Sequence, residues 1–94
     1  MAYDLRYHPK VKADLKRIPP EARRRIQSAI ESRLTTEPNR FGVRLQGALR
    51  PYWKLRVGDY RILFWIAVDT VGILAILHRK DVYEQAERRV RRGG

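Results

Sequence analysis

Pro51-Tyr52-Trp53-Lys54-Leu55-Arg56-Val57-Gly58-Asp59-Tyr60-Arg61 is the stretch that decides the fold. Trp53, Leu55 and Val57 alternate with Lys54 and Arg56, the period-two pattern of a strand with one apolar face and one wet face. Gly58 offers the positive φ that a two-residue hairpin turn needs, Asp59 completes the turn, and Tyr60-Arg61 opens the return strand. This turn pairs residue 57 with 60, 56 with 61 and 54 with 63, so Lys54, Arg56 and Arg61 share one face. Three cations on one rigid surface repel one another, which points to an anionic partner.

Downstream, Tyr60 to Val68 is apolar on both faces, with Ile62, Phe64 and Ile66 on one and Leu63 and Trp65 on the other. Such a strand belongs in the middle of a sheet covered on both sides. Asp69-Thr70 reads as the next turn and Val71 to His78 as a further strand. A tight turn there pairs 68 with 71 and therefore 61 with 78. That register sets His78 beside Arg61 and Arg56 in one row, with Lys54 in the next, and a one-residue slip moves the whole set to the other face. Asp81 to Arg92 reads as a basic helix with a thin apolar stripe at Ala86 and Val90, and Gly93-Gly94 as a frayed end.

Upstream, Ala2 to Tyr7 alternates as a strand, and Pro9 suits the first turn of a short helix carrying Val11, Leu15 and Ile18. Pro19-Pro20 ends that helix and starts a longer one, whose stripe is Ala22, Ile26, Ala29, Ile30 and Leu34. Thr35 to Arg50 is irregular, with Val43–Leu45 as a candidate short strand. The expected fold is α+β. A small, mostly antiparallel sheet, built from an N-terminal strand and a three-stranded meander, carries a helical hairpin on one face and a short C-terminal helix. Residues 1–94 read as one domain.

Lys and Arg total 21 against 10 Asp and Glu, a formal charge of +11. Solubility needs a net charge of only roughly 2–8 in a small domain, so the excess favours a polyanionic partner. With no Cys, disulfides, zinc–thiolate sites and thiol catalysis are excluded. The N-terminus has no apolar signal region, and the longest apolar run, Ile62 to Val68, is too short to span a bilayer. A soluble, cytoplasmic protein without membrane contacts is the expectation.

Two His without supporting carboxylates make no metal site, Ser28 and Ser32 lack a nucleophile elbow, and no phosphate-binding Gly loop occurs. No metal or cofactor is therefore expected. What remains is a basic surface of Lys54, Arg56, Arg61, His78, Arg79 and Lys80 with the hydroxyl of Tyr83, and Arg44 as a further phosphate-binding candidate. Such a set suits phosphodiester cleavage in RNA, because the substrate carries its own nucleophile, the 2′-OH. Arg binds phosphate through parallel hydrogen bonds and matches the charge that builds in the transition state. His78 is the natural titrating group for proton transfer, and Tyr83 can stack on a base or orient a proton. The plainer alternatives are solvated cations, a structural His78, and a Tyr83 that packs the last helix. Trp53, Phe64 and Trp65 read as core.

The run Trp53-Lys54-Leu55-Arg56-Val57-Gly58-Asp59-Tyr60-Arg61, followed by His78-Arg79-Lys80-Asp81-Val82-Tyr83-Glu84, resembles the RelE branch of the RelE/ParE toxin superfamily. The order strand, helical hairpin, antiparallel sheet agrees over nearly the whole chain. The resemblance implies a toxin of a type II toxin–antitoxin pair that cleaves mRNA in the ribosomal A site by 2′-OH attack, without metal, leaving a 2′,3′-cyclic phosphate and a 5′-OH. It implies that Lys54 and Arg61 are basic active-site residues, that Arg79 binds phosphate, and that Tyr83 is the C-terminal tyrosine. Tyr52 stands where some relatives have a second lysine, which leaves the general base open between His78 and Lys54. The implied partners are an acidic RelB-like antitoxin, the ribosome with its mRNA, and operator DNA reached only through the antitoxin.

Two competing readings use the same fold. A ParE-like inhibitor of DNA gyrase would act by protein contact, and such chains generally lack the set Lys54, Arg61, Arg79 and Tyr83. A generic RNA-binding module would hold RNA without cutting it.

Overall fold

The computed structural model describes residues 2–92. Strand β1 (Asp4–Tyr7) leads into α1 (Val11–Lys16) and α2 (Pro20–Ala29), which a wider π-type turn extends over Ile30–Leu34. A short α3 (Pro38–Phe41), strand β2 (Val43–Arg44) and a 3-10 turn (Gly47–Leu49) precede the meander β3 (Trp53–Val57), β4 (Tyr60–Ala67) and β5 (Thr70–His78). Helix α4 (Val82–Arg91) follows. The five strands lie in the order β1-β5-β4-β3-β2, antiparallel except for the parallel β1–β5 pair. The expected α+β architecture is present. The N-terminal strand is shorter than Ala2–Tyr7, and α3 arises in the segment read as irregular. Gly93 and Gly94, expected to fray, lie outside the described residues.

Each face of the sheet carries its own core. Val11, Ile18, Ile26, Ile30 and Leu34 of the N-terminal helices bury Leu55, Ile62, Phe64, Ile73 and Ile76 on one side. On the other, Val82 and Ala86 of α4 and Leu49 cover Leu63, Leu74, Ala75 and Leu77. This two-sided burial is why β4 and β5 are apolar at successive positions. No helix is long and apolar enough to cross a membrane.

The β3–β4 hairpin has the register that its alternation and its turn require, with Val57 opposite Tyr60 and Arg56 opposite Arg61. Gly58 sits at φ 58°, where a Cβ would be strained. The β4–β5 hairpin departs from expectation twice. Its turn is Val68-Asp69, because Thr70 is drawn into β5, pairing with Asp4 of β1 on one side and Ala67 on the other. Val68 pays for this with a φ of 46°, uncommon for a β-branched residue. That two-residue shift alone would preserve the faces. A β-bulge between Leu63 and Phe64 then inserts one extra β5 residue, so that Ile73 faces Phe64 but Ala75 faces Leu63. The odd residue inverts everything beyond it. Leu77 lies opposite Arg61, and His78 lies opposite Tyr60.

β1 ends at Tyr7, and the last rung beside it is the bond from His8 N–H to Ile73 O at 2.8 Å. Beyond it the edge of β5 would be bare. An ion pair takes the place of the missing strand. Asp14 of α1 accepts from Ile76 N–H at 3.1 Å, and Arg89 of α4 donates to Leu74 O at 2.9 Å. The two side chains also meet each other in a fork, at 2.8 and 2.9 Å. Arg89 is 7% exposed and Asp14 5%, so both charges are dry and mutually satisfied.

Candidate functional site

On the α4 side of the sheet, β3 and the start of β4 carry cations. Lys54 and Arg56 are two residues apart on β3 and therefore point the same way, and Arg56 is directly opposite Arg61 on β4. Paired residues of this kind have Cβ atoms about 5 Å apart, which holds the two guanidinium stems side by side. Arg56 is exposed and Arg61 half-buried. One terminal nitrogen of Arg61 donates to Gly58 O at 3.1 Å and Tyr60 O at 3.0 Å. The hairpin turn thus fixes the guanidinium while its other N–H groups remain available to an anion.

The first turn of α4 supplies Tyr83 to the same site. Val82 is fully buried against β5, which sets the helix on the sheet and directs its neighbour Tyr83, 37% exposed, toward β3. Lys54 Nζ donates to the Tyr83 hydroxyl at 3.2 Å and lies 5.8 Å from the centre of its ring. A cation and a phenol 29 positions apart therefore form one unit. Arg79 extends the β4–β5 pairing beyond the strand end: its N–H donates to Asp59 O at 2.8 Å, and its Nε lies 3.7 Å from the Asp59 carboxylate. Both side chains are well exposed, so this ion pair is weak and an incoming phosphate can displace it.

Two residues selected from sequence, His78 and Arg44, fall elsewhere. His78 is on the opposite face, because the bulge reverses the end of β5. Its ring packs edge-on against Tyr60 at 5.6 Å, and its Nδ1 accepts from Lys80 N–H at 3.2 Å. The expected row of Arg56, Arg61 and His78 is corrected accordingly: Leu77, buried under α4, occupies the place beside Arg61. Arg44 pairs with Trp53, whose face is opposite to that of Lys54, and its guanidinium lies 5.3 Å over the indole. Lys80 is exposed in the turn before α4. Sequence reasoning did not single out Arg89 or Asp14, since neither sits in a pattern that sets it apart from its charged neighbours. No group of three or more His, Asp or Glu residues that could hold a metal ion occurs among the described residues.

Comparison with known proteins agrees with this architecture. Residues 5–83 match the family model described as ParE toxin of type II toxin-antitoxin system, parDE. Toxin RelG of Mycobacterium tuberculosis is 32% identical over 87 residues, covering 90% of this chain and all of RelG. Toxin RelE3 of Methanocaldococcus jannaschii is 31% identical over 74 residues, covering 76% of this chain and 84% of RelE3. Among solved structures, a chain of the toxin–antitoxin complex RelBE2 from Mycobacterium tuberculosis superposes with a TM-score of 0.78 at 31% identity, covering 84% of this chain and 100% of that chain.

Proposed function

The chain belongs to the RelE/ParE superfamily of type II toxin–antitoxin toxins, and we propose that it acts as a ribosome-dependent mRNA endonuclease. The observation that carries this reading is the convergence of Lys54, Arg56, Arg61 and Arg79 with Tyr83 at one corner of the sheet. Stability alone disfavours such a cluster, and a scissile phosphate rewards it.

In the proposed reaction the 2′-oxygen of the substrate loses its proton and attacks the adjacent phosphorus. The bond to the 5′-oxygen breaks, and that oxygen takes up a proton as it leaves. The products are a 2′,3′-cyclic phosphate and a 5′-OH, and no metal is required. Arg56, Arg61 and Arg79 stabilise the charge gathering on the non-bridging oxygens. With His78 on the far face, proton transfer falls to the Lys54–Tyr83 unit. The Lys54 amine takes the proton of the 2′-OH, and the Tyr83 hydroxyl gives its own to the departing 5′-oxygen. The hydrogen bond from Lys54 Nζ to Tyr83 Oη then returns the proton to the phenolate. The partners in this reading are the ribosome with its A-site message and an acidic RelB-like antitoxin, through which any operator DNA is bound. The RelB–RelE complexes of Methanococcus jannaschii and Pyrococcus horikoshii support the antitoxin as a partner. Cytoplasmic action follows from the ribosomal substrate.

A translating extract tests the proposal. Wild-type protein should cut message at codon-positioned sites, and Arg61→Ala should lower the cutting rate by about 10²–10³. Intact message at doses that arrest translation would overturn it. The match to the ParE model favours a second reading, inhibition of DNA gyrase by protein contact. Loss of supercoiling activity with purified gyrase, together with intact message, would establish that reading instead.

A further inference from the structure

Away from the candidate site, α1 and the end of α4 enclose an open cleft of about 320 Å³ lined by Lys10, Arg17, Gln85, Arg88, Arg89 and Arg92. It contains five cations, one amide and no apolar side chain. Arg89 is committed to Asp14 and forms the floor, while Arg88 has an exposed partner in Glu84 at 2.7 Å. Lys10, Arg17 and Arg92 have no carboxylate within ion-pair distance among the described residues. The macrodipole accounts for Arg17 and Arg92 at the C-terminal caps of α1 and α4, but not for Lys10 at the N-cap of α1. Nor does it account for their facing one another across a gap, where like charges repel.

We infer that this cleft is a second phosphate-binding site that grips the backbone of structured RNA outside the site of cleavage. The inference rests on the ribosome-directed reading above and adds a second point of contact to it. The chemistry favours nucleic acid over a protein partner. A docked peptide needs apolar anchors, and this cleft offers none, whereas phosphate recognition needs only cations in place. Tyr83 and Arg92 stand nine positions apart along α4 and its cap, about 13 Å at 1.5 Å per residue, and at 3.6 residues per turn they project from opposite sides of the helix. An RNA that touches both must therefore pass around the end of α4. The Asp14–Arg89 fork fixes the spacing, because it ties the far end of α4 to α1 and to the edge of β5.

The test compares wild type with the triple variant Lys10→Gln/Arg17→Gln/Arg92→Gln, whose side chains are exposed. Binding of a fluorescein-labelled RNA hairpin is followed by anisotropy from about 50 to 200 mM potassium chloride, and thermal melting verifies that the variant is folded. Removing three phosphate contacts should flatten the plot of log K against log salt by about 2–3. Wild type should then lose roughly 15- to 40-fold more affinity than the variant across that range. In the translating extract the variant should raise KM and keep kcat. Polyglutamate serves as the second probe and should bind both proteins alike. Unchanged hairpin affinity and slope in a folded variant would overturn the inference, as would an equal loss of polyglutamate binding. The binding assay does not depend on cleavage: a wild type that fails to cut message refutes the nuclease reading and leaves the salt slope as the measure of the cleft.

Discussion

Asp14→Ala should be among the most damaging single substitutions in the chain, although it lies outside the candidate site and removes no apolar side chain. The carboxylate accepts two bonds from Arg89 and one from Ile76 N–H, all of them buried. Its removal strands a charge in a dry setting, which costs about 3–5 kcal/mol. A domain of this size has about 5–15 kcal/mol in total. At about 4–8 °C per kcal/mol, the melting temperature should fall by on the order of 20 °C. The double variant Asp14→Leu/Arg89→Met removes both charges together and should be less damaged than Asp14→Ala. It should still fall short of wild type by about 2 kcal/mol, because Leu74 C=O and Ile76 N–H lose their partners at the edge of β5. Thermal and urea denaturation followed by circular dichroism measure all three proteins. An Asp14→Ala loss below about 1 kcal/mol would refute the reasoning, since it would place the pair in the class of exposed bridges. Full recovery in the double variant would refute the claim that the fork stands in for a strand.

Lys54→Ala and Tyr83→Phe should each slow message cutting in the translating extract, Lys54→Ala by about 10²-fold or more, while His78→Gln should stay within a few-fold of wild type. Loss of cutting in His78→Gln would return that residue to the site. Gly72→Ala should destabilise the protein by about 1–3 kcal/mol, because a Cβ there would stand 1.9 Å from the Trp65 ring; an unchanged melting temperature would contradict this packing. Partial burial, helped by the Glu31 carboxylate, raises the pKa of the Tyr7 phenol above the ordinary 10.0. The neutral phenol is therefore favoured in the folded state. Its contribution is complete below pH 10.0 and disappears as pH rises through the raised value. Alkaline melts of Tyr7→Phe should lack that component, and identical profiles for the two proteins would exclude it.

The central hairpin was legible from residues 51–61 because its determinants are local. Alternation assigns the faces, and Gly58 admits a conformation that few other residues tolerate, so Arg56 is matched to Arg61 without reference to the rest of the chain. The prolines at 9, 19 and 20 likewise mark the helical hairpin by a steric rule that acts over one or two residues. The next hairpin was not legible in the same way. Thr70 is recruited by β1, more than sixty positions earlier, and the bulge beside Leu63 is set by the need to feed both cores from one strand. Those two effects moved His78 off the site. Lys54 and Tyr83 were each visible as candidates, but their contact depends on where Val82 seats α4. The Asp14–Arg89 fork lies furthest from sequence reading, with its partners 75 positions apart. By itself the sequence determined the elements, the central register, and the basic character of the surface, all properties of neighbouring residues. Only the tertiary structure decided which cations share a face and which charges are buried, because both depend on how the sheet edge and the last helix meet.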